Sequence, residues 1–153
     1  MGTGLIFAGD GFKAFGMVLE RFSQRIEDPT PVWDGLADRF VELQKKNFSS
    51  QGSTMSGGWS PLSPKYGAWK ATHYPGRPIL VRTGELKDSL AGKLGIREFN
   101  RKSMTVGTQV AYAAFHQNGT RHMPARRLIG DIPVDEQREW AKVLQRYLIE
   151  GNT

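Results

Sequence analysis

Apolar residues recur with helical spacing at both ends of this chain and with a period near two only in its middle, and that change of period restricts the fold more than any other feature. Phe12, Phe15, Leu19, Phe22 and Ile26 fall three or four apart, so the spacing predicts a helix over 11–26 carrying one greasy stripe. Thr30-Pro31 then supplies a capping hydroxyl and a proline at the first helical position, where its missing N–H costs nothing. Trp33, Leu36, Ala37, Phe40, Val41 and Leu43 continue a second helix to about Phe48. At the other end, Val134, Trp140, Val143, Leu144, Tyr147 and Leu148 mark a long helix after Pro133, with Asp135, Glu136 and Glu139 near its start and Arg146 later, as the helix dipole favours. Between the ends, residues 93–100 and 103–108 alternate apolar and polar across the turn Asn100-Arg101-Lys102, the pattern of an antiparallel hairpin. Helices flanking a strand-bearing middle predict an α+β fold, a small antiparallel sheet packed by N-terminal and C-terminal helices, rather than alternating βαβ units.

The 153 residues suit one domain. Shorter elements are expected after Ser63-Pro64 and after Thr83, with Leu86 and Leu90 facing inward. Ala111–Phe115 is too short for its period to separate strand from helix; Gly119 is its C-cap if it is helical. No internal repeat or sustained heptad is present. Residues 49–58 contain four serines, three glycines and no charge, a composition that reads as a flexible loop or arm. Ordering such a stretch costs about 1–2 kcal/mol per residue of backbone entropy. Met55 and Trp59 are the apolar side chains able to offset that cost, so an arm would dock them on a neighbouring subunit.

Several chemistries lack their residues. There is no cysteine, which removes disulfides, thiolate metal sites and cysteine nucleophiles together. His73, His116 and His122 match no common zinc spacing. No Gly-x-Ser-x-Gly elbow or phosphate-binding glycine loop occurs, and residues 61–130 hold only Glu85, Asp88 and Glu98 as acids. The expectation is a protein without catalytic residues, metal or cofactor. No apolar run approaches the roughly 18 residues of a membrane span, and the first ten residues lack the basic start of a signal peptide, so a protein made in the bacterial cytoplasm is expected.

The formal charge is +6 with pI near 9.8, and residues 61–130 carry all of the excess, twelve Lys/Arg against three Asp/Glu. Lys65, Lys70, Arg77, Arg82 and Lys87 interleave with Tyr66, Trp69 and Tyr74, a mixture that can bind phosphates and stack bases. A basic nucleic-acid-binding module is therefore the alternative function. Against it, the charges stand singly among apolar residues and no DNA- or RNA-binding motif appears, which fits a solvated face or an acidic protein partner.

Residues 59–130 carry a further pattern. It runs from Trp59-x-Pro61-Leu62-Ser63 with Tyr66 and Lys70, through Ile79-Leu80-x-x-Thr83-Gly84-x-Leu86-x-x-Ser89 and Val106-Gly107-Thr108, to Tyr112-Ala113-x-x-His116-Gln117-x-Gly119-Thr120, Met123-Pro124-Ala125-Arg126 and Leu128-x-Gly130. No single piece is specific, but their order resembles the virion morphogenesis, or tail-completion, proteins of Mu-like and P2-like phages. The resemblance implies an α+β structural subunit that completes the tail or neck at the head–tail junction, with no catalytic residues to carry over. It also implies residence in the virion, other neck and tail proteins as partners, proximity to phage DNA, and a closed ring of identical subunits, six if it follows the symmetry common in tail tubes. Gly84, Gly119 and Pro124 would shape turns, while Tyr112, Leu80, Leu86 and Leu128 would fill the core. The interface candidates are Met55, Trp59, His116, Arg126 and Arg127. Arg127 stands where the family usually has proline, which puts the local turn in question.

Overall fold

The computed structural model describes residues 10–151, with side chains from Lys13 onward, so Phe12 of the N-terminal stripe lies outside the described side chains. In chain order the elements are α1 (Asp10–Glu27), α2 (Thr30–Ser49), α3 (Ser53–Ser56), α4 (Pro64–His73), α5 (Glu85–Ala91), β1 (Ile96–Phe99), β2 (Met104–Gly107), α6 (Ala113–Asn118) and α7 (Val134–Glu150). This is a small α+β fold whose two strands pair antiparallel, Ile96 opposite Gly107 and Phe99 opposite Met104. Among the described residues no helix is long and apolar enough to cross a membrane.

Helix α2 is the axis. Asp28 accepts a hydrogen bond from the Thr30 amide at 3.2 Å, so the carboxylate before the predicted cap does the capping, and Pro31 follows at the helix start. One side of α2 buries Phe40 and Phe48 in a cluster with Trp59, Val81, Leu86, Leu90 and Leu128. Nearer its start, Val32 and Leu36 pack with Tyr147 of α7, and Trp33, Met104 and Trp140 close over them. The hairpin is fastened to the same helix. Trp33 Nε1 donates to the Asn100 carbonyl at 2.8 Å, and Arg97 bridges Asp34 and Asp38 at 2.6 and 2.8 Å. These carboxylates are exposed, so the bridges fix register more than they stabilise.

The segment Arg126–Asp131 crosses α2 as an irregular strap, and side chains satisfy its backbone between the two ends, where the Arg126 and Asp131 amides bond backbone carbonyls. Gln44 and Asn47, both fully buried in α2, donate to the Leu128 carbonyl at 3.2 and 3.1 Å. Gln117 of α6 accepts from the Leu128 and Ile129 amides at 2.9 and 3.0 Å and donates to the Ile129 carbonyl at 2.6 Å. Trp59 Nε1 donates to the Arg127 carbonyl at 2.8 Å. The Asp131 amide donates to the Met55 carbonyl at 3.0 Å. At Gly130 the strap passes so close that an added Cβ would lie 2.1 Å from the Met55 oxygen.

The stretch 49–58 differs from the arm expected of it. The Gly52 amide donates to Asn47 O at 2.8 Å and the Trp59 amide to Gln51 O at 2.7 Å, while the Ser50 and Thr54 hydroxyls meet at 2.8 Å and Ser56 donates to Gly52 O at 3.0 Å. The short polar side chains that argued for mobility close the turn around α3 instead. Met55 and Trp59, only 5% and 7% exposed, dock on their own chain rather than on a neighbour. Trp59 meets Phe48 edge to face at 5.2 Å, and its ring lies 2.4 Å from where a Cβ on Gly52 (φ 85°) would stand.

Two outcomes follow. In the free subunit the amides of Gly52 and Trp59 should exchange hydrogen as slowly as mid-α2 amides; exchange at the rate of an unstructured peptide would contradict this packing. Gly130→Ala should lower the unfolding free energy by about 3 kcal/mol, the upper end for overpacking. Gly35→Ala, in open space within α2, should raise it by about 0.5–1 kcal/mol. Denaturant titration of the two variants checks both signs.

Candidate interaction site

The five residues singled out from the sequence separate once folded. Met55 and Trp59 belong to the core. Arg127 is exposed, and its carbonyl accepts from Trp59 Nε1 and Ser56 Oγ, whereas its own amide makes no hydrogen bond among the described residues. A proline there would forfeit no bond, so the departure from the family pattern leaves the local turn intact. His116 and Arg126 come together on one cleft.

That cleft has a volume of about 540 Å³ and is assembled from four segments far apart in sequence. Leu62, Tyr66 and Lys70 come from α4 and the loop before it. Leu80 to Gly84 and Leu86 form a second wall, Tyr112, Phe115 and His116 of the α6 region a third, and His122 to Pro124 with Arg126 the fourth. Leu80 adopts φ 61°, a left-handed conformation rare for a branched residue, and such backbone costs about 1–3 kcal/mol where surrounding structure enforces it. Gln51 provides part of that enforcement, accepting from the Ile79 amide at 2.9 Å.

Arg126 is 5% exposed, and its guanidinium donates to the Ser60 and Pro61 carbonyls at 2.6 and 2.7 Å. Lys70 is 4% exposed and donates to the Pro78 carbonyl. Burial lowers the pKa of both groups from their ordinary values. Tyr112, expected in the core, instead stands on the cleft, its hydroxyl donating to Glu85 at 3.1 Å. Burial and then that carboxylate raise its pKa. The Arg126 amide donates to the His116 carbonyl at 2.7 Å, but the buried Nδ1 of His116 has no partner among the described residues. His73 lies elsewhere, stacked on Trp69 with ring centres 4.6 Å apart.

A second surface is α1. Its stripe forms as expected, yet Phe15, Leu19, Phe22 and Ile26 remain 37–59% exposed, and Met17 and Val18 are exposed beside them. The helix is held at its C-terminal end, where Arg25 donates to the Leu148 and Ile149 carbonyls at 3.1 and 2.8 Å and Tyr147 donates to the Asp28 carbonyl at 3.0 Å. Periodicity predicts the stripe but not its exposure. It gives no role to Gln44 and Asn47, although two polar residues set among the apolar positions of α2 are a visible signal, and Gln117 stands in the family pattern with no bond predicted for it.

Burial, then the charge of Arg126, holds the His116 pKa below its ordinary value of about 6.5. The unfolded chain takes up this proton more readily. The stability that goes with a neutral imidazole is therefore complete above about pH 6.5 and is lost as pH falls through the depressed folded value. NMR titration should give His116 a midpoint below that of a histidine in an unstructured peptide; an equal or higher midpoint would contradict this environment.

Comparison with models of protein families matches the phage virion morphogenesis family over residues 10–148. No curated protein and no solved structure matches the chain. The match spans every described helix and the hairpin, short only of the last residues of α7. On that extent, the chain belongs to the phage virion morphogenesis family.

Proposed function

We propose that the chain completes the tail or neck at the head–tail junction, as a structural subunit that forms a ring with copies of itself and contacts the next protein along the axis. Its role in phage virion morphogenesis follows from the family; the junction, the ring and the absence of catalysis are the proposal. The observation that carries it is the apolar face of α1. A subunit stable on its own rarely exposes a contiguous apolar patch of more than a few hundred Å². Phe15, Leu19, Phe22 and Ile26 alternate spacings of four and three over about three turns of helix, the narrow seam by which helices pair with other helices. Identical subunits joined head to tail close into a ring when the rotation permits, and six copies would match the symmetry common in tail tubes.

A second reading, a basic module that contacts the genome near the neck, is favoured by α4. Tyr66, Trp69 and His73 stack along its exposed side at 5.6 and 4.6 Å, with Lys65 beside them. The rings already cover one another, which leaves only outer faces for bases.

Light scattering on the purified chain should give a closed oligomer, and Phe15→Glu should reduce it to monomers while leaving the unfolding free energy within about 1 kcal/mol, because that ring is 59% exposed in the single subunit. A monomeric wild type, or a variant of unchanged mass, would remove α1 as the contact. For the second reading, duplex-DNA affinity should fall steeply with salt as neutralised phosphates release counterions. No binding at low salt would discard it.

A further inference from the structure

Lys70 and Arg126 pose an electrostatic problem that the described residues do not solve. Each is at least nine-tenths buried on the wall of the same cleft. Backbone carbonyls accept their hydrogen bonds, yet neither cation pairs with a carboxylate among the described residues. Carbonyl dipoles satisfy donors without cancelling a full charge, and a cation removed from water remains costly until an anion joins it. Arg82 adds an exposed third charge at the rim. Among the described residues no aspartate or glutamate lines the cleft, and the carboxylate of Glu85 beside it accepts the Tyr112 hydroxyl. The buried Nδ1 of His116, without a partner, is one more polar atom at this wall.

Leu62, Leu80, Leu86 and Met123 form an apolar wall around a Phe115 ring that is 58% exposed, and Ser63, Thr83 and His122 add polar groups to the lining. A volume of about 540 Å³ lies in the range of pockets that enclose a few side chains rather than a duplex. Aliphatic walls suit an apolar side chain better than a phosphodiester chain, whose bases would need open aromatic faces.

We propose that this cleft receives an extended acidic segment of a different virion protein, seating one large apolar side chain on the Leu80–Phe115–Met123 wall and bringing a carboxylate toward Lys70 and Arg126. The assignment rests on the reading of the chain as an assembly subunit. It goes further in naming the chemistry of the partner: charge complementarity selects the segment and sets its register, while the apolar anchor supplies most of the affinity.

The test is to place the photo-crosslinking residue benzoylphenylalanine at Phe115 of the full chain, irradiate infected cells, and identify the crosslinked peptide by mass spectrometry. The expected product joins this chain to a segment of another virion protein with an aromatic or aliphatic residue flanked by aspartate or glutamate. Arg82→Glu in the same background should lower the crosslink yield about tenfold while oligomer mass stays unchanged. Crosslinks to DNA, to a second copy of this chain or to a basic segment would overturn the proposal, as would a yield indifferent to Arg82→Glu. Absence of any crosslink from chains that still oligomerise would overturn it while leaving the ring reading in place; loss of the oligomer as well would remove both.

Discussion

The strap Arg126–Asp131 is the constraint on which the rest of the structure depends. An irregular segment laid across a helix cannot satisfy its own amides and carbonyls, and each one left bare in the interior costs about 1–3 kcal/mol. The chain meets this demand with side chains from three separate elements, Gln44 and Asn47 of α2, Trp59 after α3 and Gln117 of α6. Fixing the strap thus fixes where α2, α3 and α6 stand relative to one another. It also delivers Arg126 to the cleft, since the Arg126 amide is pinned to His116 on one side and its side chain to Ser60 and Pro61 on the other. Of the family pattern, Trp59, Pro61, His116, Gln117, Arg126 and Leu128 meet in this one network.

How much of this the sequence disclosed depends on whether the cause was local. The helices α2 and α7 and the hairpin follow from periodicity, a property of neighbouring residues, and they form where their spacing places them. The stretch 49–58 departs from its expectation because composition counts only the apolar area within a segment. It omits the turn that Ser50, Thr54 and Ser56 close with their own hydroxyls, and the core that α2 offers to Met55 and Trp59. The cleft was invisible for a related reason. Its walls come from residues 62–126 folded over α5 and α6, and no spacing along the chain predicts that Lys70 and Arg126 will share it. The family pattern points to His116 and Arg126, whereas it places Tyr112 in a core that the residue only borders.

The same physics divides the molecule into a tightly packed interior and surfaces left open. Gly130 against Met55 and Trp59 against Gly52 leave the centre almost no freedom. By contrast, α1 shows its apolar stripe, and the cleft holds two cations that no carboxylate among the described residues pairs. A subunit built for solitary existence would bury the first and neutralise the second. In the proposed reading both are left for other chains: α1 for a copy of the same subunit and the cleft for a different protein. Two chemically distinct contacts let ring closure and axial docking be selected separately.

Electron cryomicroscopy of the assembled particle at residue resolution tests this account most directly. It predicts density for the chain at the head–tail junction, with Phe15, Leu19, Phe22 and Ile26 of α1 packed against the neighbouring copy around a closed ring. A particle in which the chain lies at that junction with α1 facing solvent, or in which copies touch only through other surfaces, would contradict it.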